Sequence, residues 1–247
     1  MDKMRRTEHQ RKVDAAEAEL EAMIQVIALE ELNRLFRGVQ LKLRRINQYR
    51  PKAHPNHTRL TKADVTGTSL WDLFRGRLRS RLMEALLGGS ISLYSLLTMR
   101  VAEQPLELDT DAIARELEYQ VGERITQVTN TIKREVGRRI VAWYNSPGVT
   151  MQTIINQLRP AFGINRAALI AATETTNLHS LVQTEIMTRL GYDEWWWETK
   201  RDNLVCVRPM KGPDGQTYNG CRALHGKRFK LGQPMPPDGS HVSCRCN

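Results

Sequence analysis

From Thr7 to about Ile46, the apolar residues Leu20, Met23, Ile24, Ile27, Leu32, Leu35, Phe36, Val39 and Leu43 recur at spacings of three and four, with charged residues between them. That is the period of a helix with one buried face, and neither Gly nor Pro interrupts it before Gly38. A helix of about 35 to 40 residues is roughly 55 Å long at 1.5 Å per residue, more than a domain of this size covers, so part of it is expected to need a partner. The stretch "RPKAHPNHTRLTKADVTGTS" then breaks the pattern with two prolines and a polar run, a loop in which His54, Pro55 and His57 read as a polar turn.

Ser69-Leu70-Trp71-Asp72 has capping-box spacing and opens a second helix. Its buried stripe is Leu70, Leu73, Phe74, Leu78, Leu82, Ala85 and Leu86, and Gly88-Gly89 is predicted to stop it. Arg75, Arg77, Arg79 and Arg81 alternate along it and, at that spacing, spread around the exposed half instead of sharing a face. A third helix is predicted from Thr110, its cap, to Trp143, with Ile113, Leu117, Val121, Ile125, Val128, Ile132, Val136, Ile140 and Val141 inside. A short helix from Thr150 to Leu158 follows, then a last one from about Asn165, its cap, to Leu190, stopped by Gly191.

Past Gly191 the chemistry of the chain changes. "YDEWWWETK" suits a strand, "KGPDGQTYNG" is turn chemistry, "KRFKLG" suits a second strand, and "QPMPPDGSH" is an extended approach to the C-terminal cysteines. The expected fold class is mainly α, long helices followed by a small α+β, zinc-stabilised C-terminal module. The expected division is a long amphipathic helix over 1–50, a helical region over 51–147 and the C-terminal module over 148–247.

Composition narrows the compartment and partners. The chain has 247 residues, 40% of them apolar, enough for a core without crosslinks. Stretches such as Ala167 to Ala172 fall far short of the ~20 apolar residues a bilayer span needs, and "MDKMRRTEHQRK" lacks the apolar run of a secretion signal. A reducing cytoplasm and no membrane partner are therefore expected. Net charge is +10, distributed as +3 over 1–50, +4 over 51–105, −2 over 106–200 and +5 over 201–247. Basic ends around a neutral middle favour a polyanionic neighbour, nucleic acid or an acidic protein ring, or serve only solubility.

All four cysteines, Cys206, Cys221, Cys244 and Cys246, fall in the last 42 positions, with His225 and His241 among them. In a reducing compartment such a cluster reads as zinc ligands before it reads as disulfides. A structural zinc takes four ligands, and a knob of about 55 residues has little core of its own, which is where a metal substitutes for burial. The first pair is separated by fourteen residues and the second by one, so His241 or His225 as an alternative ligand stays open, as do disulfides and free thiols. No Gly-rich phosphate loop, nucleophile elbow or His-Glu-x-x-His motif occurs. Glu174 and His179, five apart on the last helix, do not share a face. The aromatics Trp195, Trp196 and Trp197 suit stacking of bases but are more simply read as packed on both sides of a strand.

Four short stretches in order carry a family resemblance: "AATETTNLHS" (Ala171–Ser180), "GYDEWWWETKRDNLVC" (Gly191–Cys206), "CRALHGKRF" (Cys221–Phe229) and "PPDGSHVSCRC" (Pro236–Cys246). Together they make the span from about Gly148 to Cys246 resemble the phage Mu F-like minor head protein family. Two departures stand out: Ala172 occupies a place where arginine is frequent, and the second cysteine of the usual close pair is carried on to Cys221 by an insertion after Arg208-Pro209. The resemblance implies a minor component of the capsid interior of a tailed bacteriophage or prophage, assembled in the host cytoplasm. It implies partnership with the portal and other head proteins, and a part in head assembly, DNA packaging or ejection. It further implies no enzymatic activity, no small-molecule substrate and, with the chain ending one residue past Cys246, no appended effector. On this reading Glu174 and Asp202 hold the last helix against the knob by hydrogen bonds, and the basic ends face packaged DNA. The competing expectations are a metal-dependent nuclease or hydrolase using His225 or His241, and a DNA-binding adaptor outside the virion.

Overall fold

The computed structural model describes residues 2–48, 68–98, 109–146, 148–196, 209–211 and 216–231. Four long helices dominate: α1 (Asp2–Gln48), α2 (Thr68–Thr98), α3 (Thr110–Tyr144) and α5 (Ile164–Arg189), with the short α4 (Met151–Leu158) between the last two. Four three-residue strands follow, β1 (Glu194–Trp196), β2 (Pro209–Lys211), β3 (Thr217–Asn219) and β4 (Arg228–Lys230), paired antiparallel as β1 with β4 and β2 with β3. Among the described residues no helix is long and apolar enough to cross a membrane.

The helix ends show which local signals decide. Asp109, not Thr110, opens α3, its carboxylate accepting the Ala112 N–H at 2.8 Å while Thr110 lies inside the first turn. Thr150 caps α4 as its sequence suggests, its hydroxyl accepting the Thr153 N–H at 3.1 Å. At the start of α5 the backbone carbonyl of Gly163 takes the Arg166 and Ala167 N–H groups, so Asn165 is a first-turn residue and not the cap. The end of α5 is a full left-handed stop: Gly191 has φ +74°, its N–H donates to Thr188, and the Tyr192 N–H reaches back to Met187 at 3.0 Å.

The chain forms two compact units, each drawing on several stretches. Unit two comprises Gln25–Leu82 and Val121–Ala168. Leu32, Leu35 and Leu43 of α1, Leu78 and Leu82 of α2, and Ile132 and Val136 of α3 are buried in it. Phe36 stacks on Phe162 at 5.0 Å between ring centroids. Gly38 lets α2 come close, since a Cβ there would stand 2.5 Å from a Leu70 methyl. Two of the alternating arginines leave the solvent face: Arg79 lies 3.4 Å from where a Gly122 Cβ would be, and Arg81 hydrogen-bonds Glu30 at 2.7 Å and buried Glu31 at 3.1 Å. Glu31 also accepts from Arg34, and the hydrogen bond that Arg81 donates to Glu30 raises the Arg81 pKa against the lowering effect of burial.

Unit one comprises Met1–Ile24, Met83–Gln120 and Leu169–Asn247. Here the double glycine does not end the second helix, which runs through it to Thr98. The cause is packing: a Cβ on Gly89 would meet both methyls of buried Leu20 at 2.7 and 2.8 Å, so the missing side chain is the seat of Leu20. Burial of Leu93 and Tyr94 in the next turns compensates for the weak helix propensity of glycine. The α1 stripe is buried at Val13, Leu20 and Ile24 in this unit and on to Leu43 in unit two, while Met23 is 48% exposed.

Candidate functional site: a buried polar helix face and the ribbon after it

Helix α5 begins its unit-one part as an ordinary core helix, with Ile170 and Ala171 buried, and then turns polar without turning outward. Glu174, Thr175, Asn177, His179 and Ser180 are all buried beside Leu178 and Val182. A run of hydroxyls bonds back one turn, Thr173 to Leu169 O, Thr176 to Ala172 O, Ser180 to Thr176 O and Thr184 to Ser180 O, at 2.8 to 3.1 Å. Such bonds satisfy the hydroxyl inside the helix, both for buried Ser180 and for half-buried Thr173, Thr176 and Thr184.

His179 is different. Its Nδ1 pairs with the Glu17 carboxylate of α1, 162 positions away in sequence. Toward a carboxylate acceptor Nδ1 is the donating nitrogen, which leaves Nε2 as the other polar atom of the ring. Among the described residues Nε2 is buried with no partner, and Thr175 Oγ1 and Asn177 Nδ2 are buried with none either. A carboxylate that fixes one imidazole nitrogen and leaves the other bare orients a ligand or base. Among the described residues no three of His, Cys, Asp and Glu come together as a metal-holding group. Glu174 is buried on the same helix, and Asp202, its expected partner, lies outside the described residues.

The helix hands over to the β1–β4 ribbon. Register pairs Glu194 with Lys230, Trp195 with Phe229 and Trp196 with Arg228. Alternation sends the middle pair inward, where Trp195 and Phe229 are buried with centroids 5.1 Å apart and the indole N–H reaches Lys230 O at 3.3 Å. The flanking pairs point outward, and Trp196 is 64% exposed, so the three tryptophans are not all core residues. Tyr218 of β3 lies under the Lys227 ammonium at 4.3 Å from the ring centroid.

Of the expected zinc ligands, Cys221 starts a 3-10 turn (Cys221–Leu224) just after Gly220, which has φ +79°, and half-buried His225 follows that turn. Cys206, His241, Cys244 and Cys246 lie outside the described residues. The His179–Glu17 pair is what sequence reasoning missed. The available signal was the polar run at positions of α5 whose neighbours, Ile170, Ala171, Leu178 and Val182, belong to the buried stripe. No family model matches the chain, and neither curated proteins nor solved structures give a match.

Proposed function

We propose that the chain is a non-enzymatic minor head protein of a tailed bacteriophage or prophage, resident in the capsid interior near the portal and aiding head assembly, DNA packaging or ejection. The observation that carries this reading is the convergence of its family-like segments. "AATETTNLHS" is the buried polar face of α5, and "GYDEWWW" and "CRALHGKRF" supply the two strands of one ribbon, joined by Trp195 against Phe229. Segments separated along the chain thus meet in one ribbon and belong, with the α5 segment, to one compact unit, as pieces of a shared module do.

Structural zinc belongs to the proposal, held by Cys206, Cys221, Cys244 and Cys246, with His241 or His225 as alternative ligand. Its support is the β2–β3 register. Pro209, three residues after Cys206, pairs with Asn219, two before Cys221, so a hairpin closes most of the fourteen-residue gap between the first two ligands. A fully occupied ligand set leaves no position for substrate, which is why the metal is assigned to folding and not to catalysis.

Quantitative mass spectrometry of DNA-filled particles and empty procapsids from the encoding virus or prophage tests the reading. A few copies per particle in both are expected, and absence from both overturns it. Metal analysis of the purified chain accompanies it: about one zinc per chain is expected, and none removes the zinc part alone.

A further inference from the structure

The outward face of the β1–β4 ribbon has no role in the head-protein reading, and its composition is unusual. Trp196 is 64% exposed, directly across from Arg228, whose side chain is 72% exposed. Lys230 extends the same face by one pair, and Arg222 and Lys227, both exposed, sit on the turn leading into β4. Tyr192, 55% exposed, precedes β1. Against these four cations stand two exposed carboxylates, Asp193 and Glu194. Glu194 is paired in register with Lys230 and is 3.9 Å from Arg228.

We propose that this face binds single-stranded nucleic acid, an unpaired base stacking on Trp196 with the adjoining phosphates on Arg228 and Lys230. An exposed indole facing one cation and diagonal to a second fits a partner that offers a flat π surface and negative charge about one nucleotide apart. An acidic protein segment would use the cations and leave the indole ring unmatched. Duplex DNA would supply the phosphates but keeps its base faces stacked on one another. A strand of three residues is about 10 Å long, so the ribbon accommodates one or two nucleotides and binding is weak, modest in its salt dependence and indifferent to sequence. Glu194 opposes the phosphate and weakens binding further. The proposal is independent of where the protein resides, and its failure leaves the particle measurement above untouched.

Fluorescence anisotropy of a labelled oligothymidine of about twelve nucleotides, titrated with the full chain at about 50 mM salt, tests it. Trp196→Ala is expected to weaken binding about tenfold or more, and Trp196→Phe to restore most of it. Arg228→Ala should weaken binding and lower the slope of log affinity against log salt by about one, while Glu194→Gln should tighten it. All three positions are at the surface, and unchanged helical circular dichroism establishes that the variants fold. Absence of binding overturns the proposal, as does a Trp196→Ala variant that binds like the parent. Displacement of the oligomer as readily by an equal-length duplex, or by polyglutamate, overturns it in favour of a duplex or an acidic protein partner.

Discussion

The two units differ in which polar groups they bury and how those groups are met. In unit two the buried carboxylate Glu31 is met by Arg34 and Arg81, and half-buried Glu135 by Arg139 at 3.0 Å and Arg166 at 3.6 Å. Among the described residues of unit one, Ser90, Glu174, Thr175, Asn177, His179 and Ser180 are buried, and three of them hold an atom with no partner there. An interior donor or acceptor without a partner costs free energy, whereas a satisfied carboxylate with two guanidinium groups holds its helices in register. Unit two therefore meets its buried carboxylates with arginines, although Thr129 Oγ1 and Arg139 Nε are buried there with no partner among the described residues. Unit one gathers three such atoms, on Thr175, Asn177 and His179, on the helix that leads into the ribbon.

The sharpest test of this contrast sets Glu31→Ala against His179→Leu. Removing Glu31 strips two arginines of a buried acceptor and is expected to cost roughly 2–4 kcal/mol in urea denaturation. His179→Leu replaces a half-satisfied ring by an apolar side chain, and Glu17, 22% exposed, can turn to water; the expected change is within about 1 kcal/mol. Equal large losses in both variants would erase the distinction between the units.

A smaller effect separates the two close-approach glycines. In unit one, Leu20 is buried and both its methyls face Gly89, so Gly89→Ala is expected to destabilise by about 1 kcal/mol despite the better helix propensity of alanine. In unit two, half-buried Leu70 can swing away from an added methyl, so Gly38→Ala should be neutral or stabilising by up to about 1 kcal/mol. Melting temperatures of the two variants measured side by side decide it.

The smallest expected effect lies at alkaline pH. Burial raises the pKa of Tyr94 in unit one, opposed by nearby Arg189, so its phenol ionises later folded than unfolded. The contribution is complete below the ordinary value of about 10 and is lost as pH rises through the higher folded value. The stability difference between Tyr94→Phe and the parent should thus be flat below about pH 10 and shift in favour of the variant above it. A difference that stays flat to about pH 11 would show that Tyr94 is not held neutral by burial.

What the sequence revealed follows from the range of each cause. Apolar stripes are local, with a period set by helix geometry, and Leu20 through Leu43, Phe74 through Leu86 and Ile113 through Ile140 were legible as buried faces from spacing alone. Gly191 was legible as a stop because its left-handed conformation is a property of one residue. Gly88-Gly89 misled because the reason for a glycine there is Leu20, far away in sequence. The choice of Asp109 over Thr110 is a matter of one position between two competent caps. His179 and Glu17 could not be paired from spacing, and the opposite fates of Trp195 and Trp196 needed the partner strand to be known.

The hydrogen bond between His179 and Glu17 also bears on inheritance. The two codons stand 162 positions apart, so a crossover anywhere between them parts the carboxylate from its imidazole. A tail acquired from another genome would lodge its polar helix against a first helix that had never been matched to it. Successful mosaics should therefore break outside this interval, or show compensating changes around Glu17.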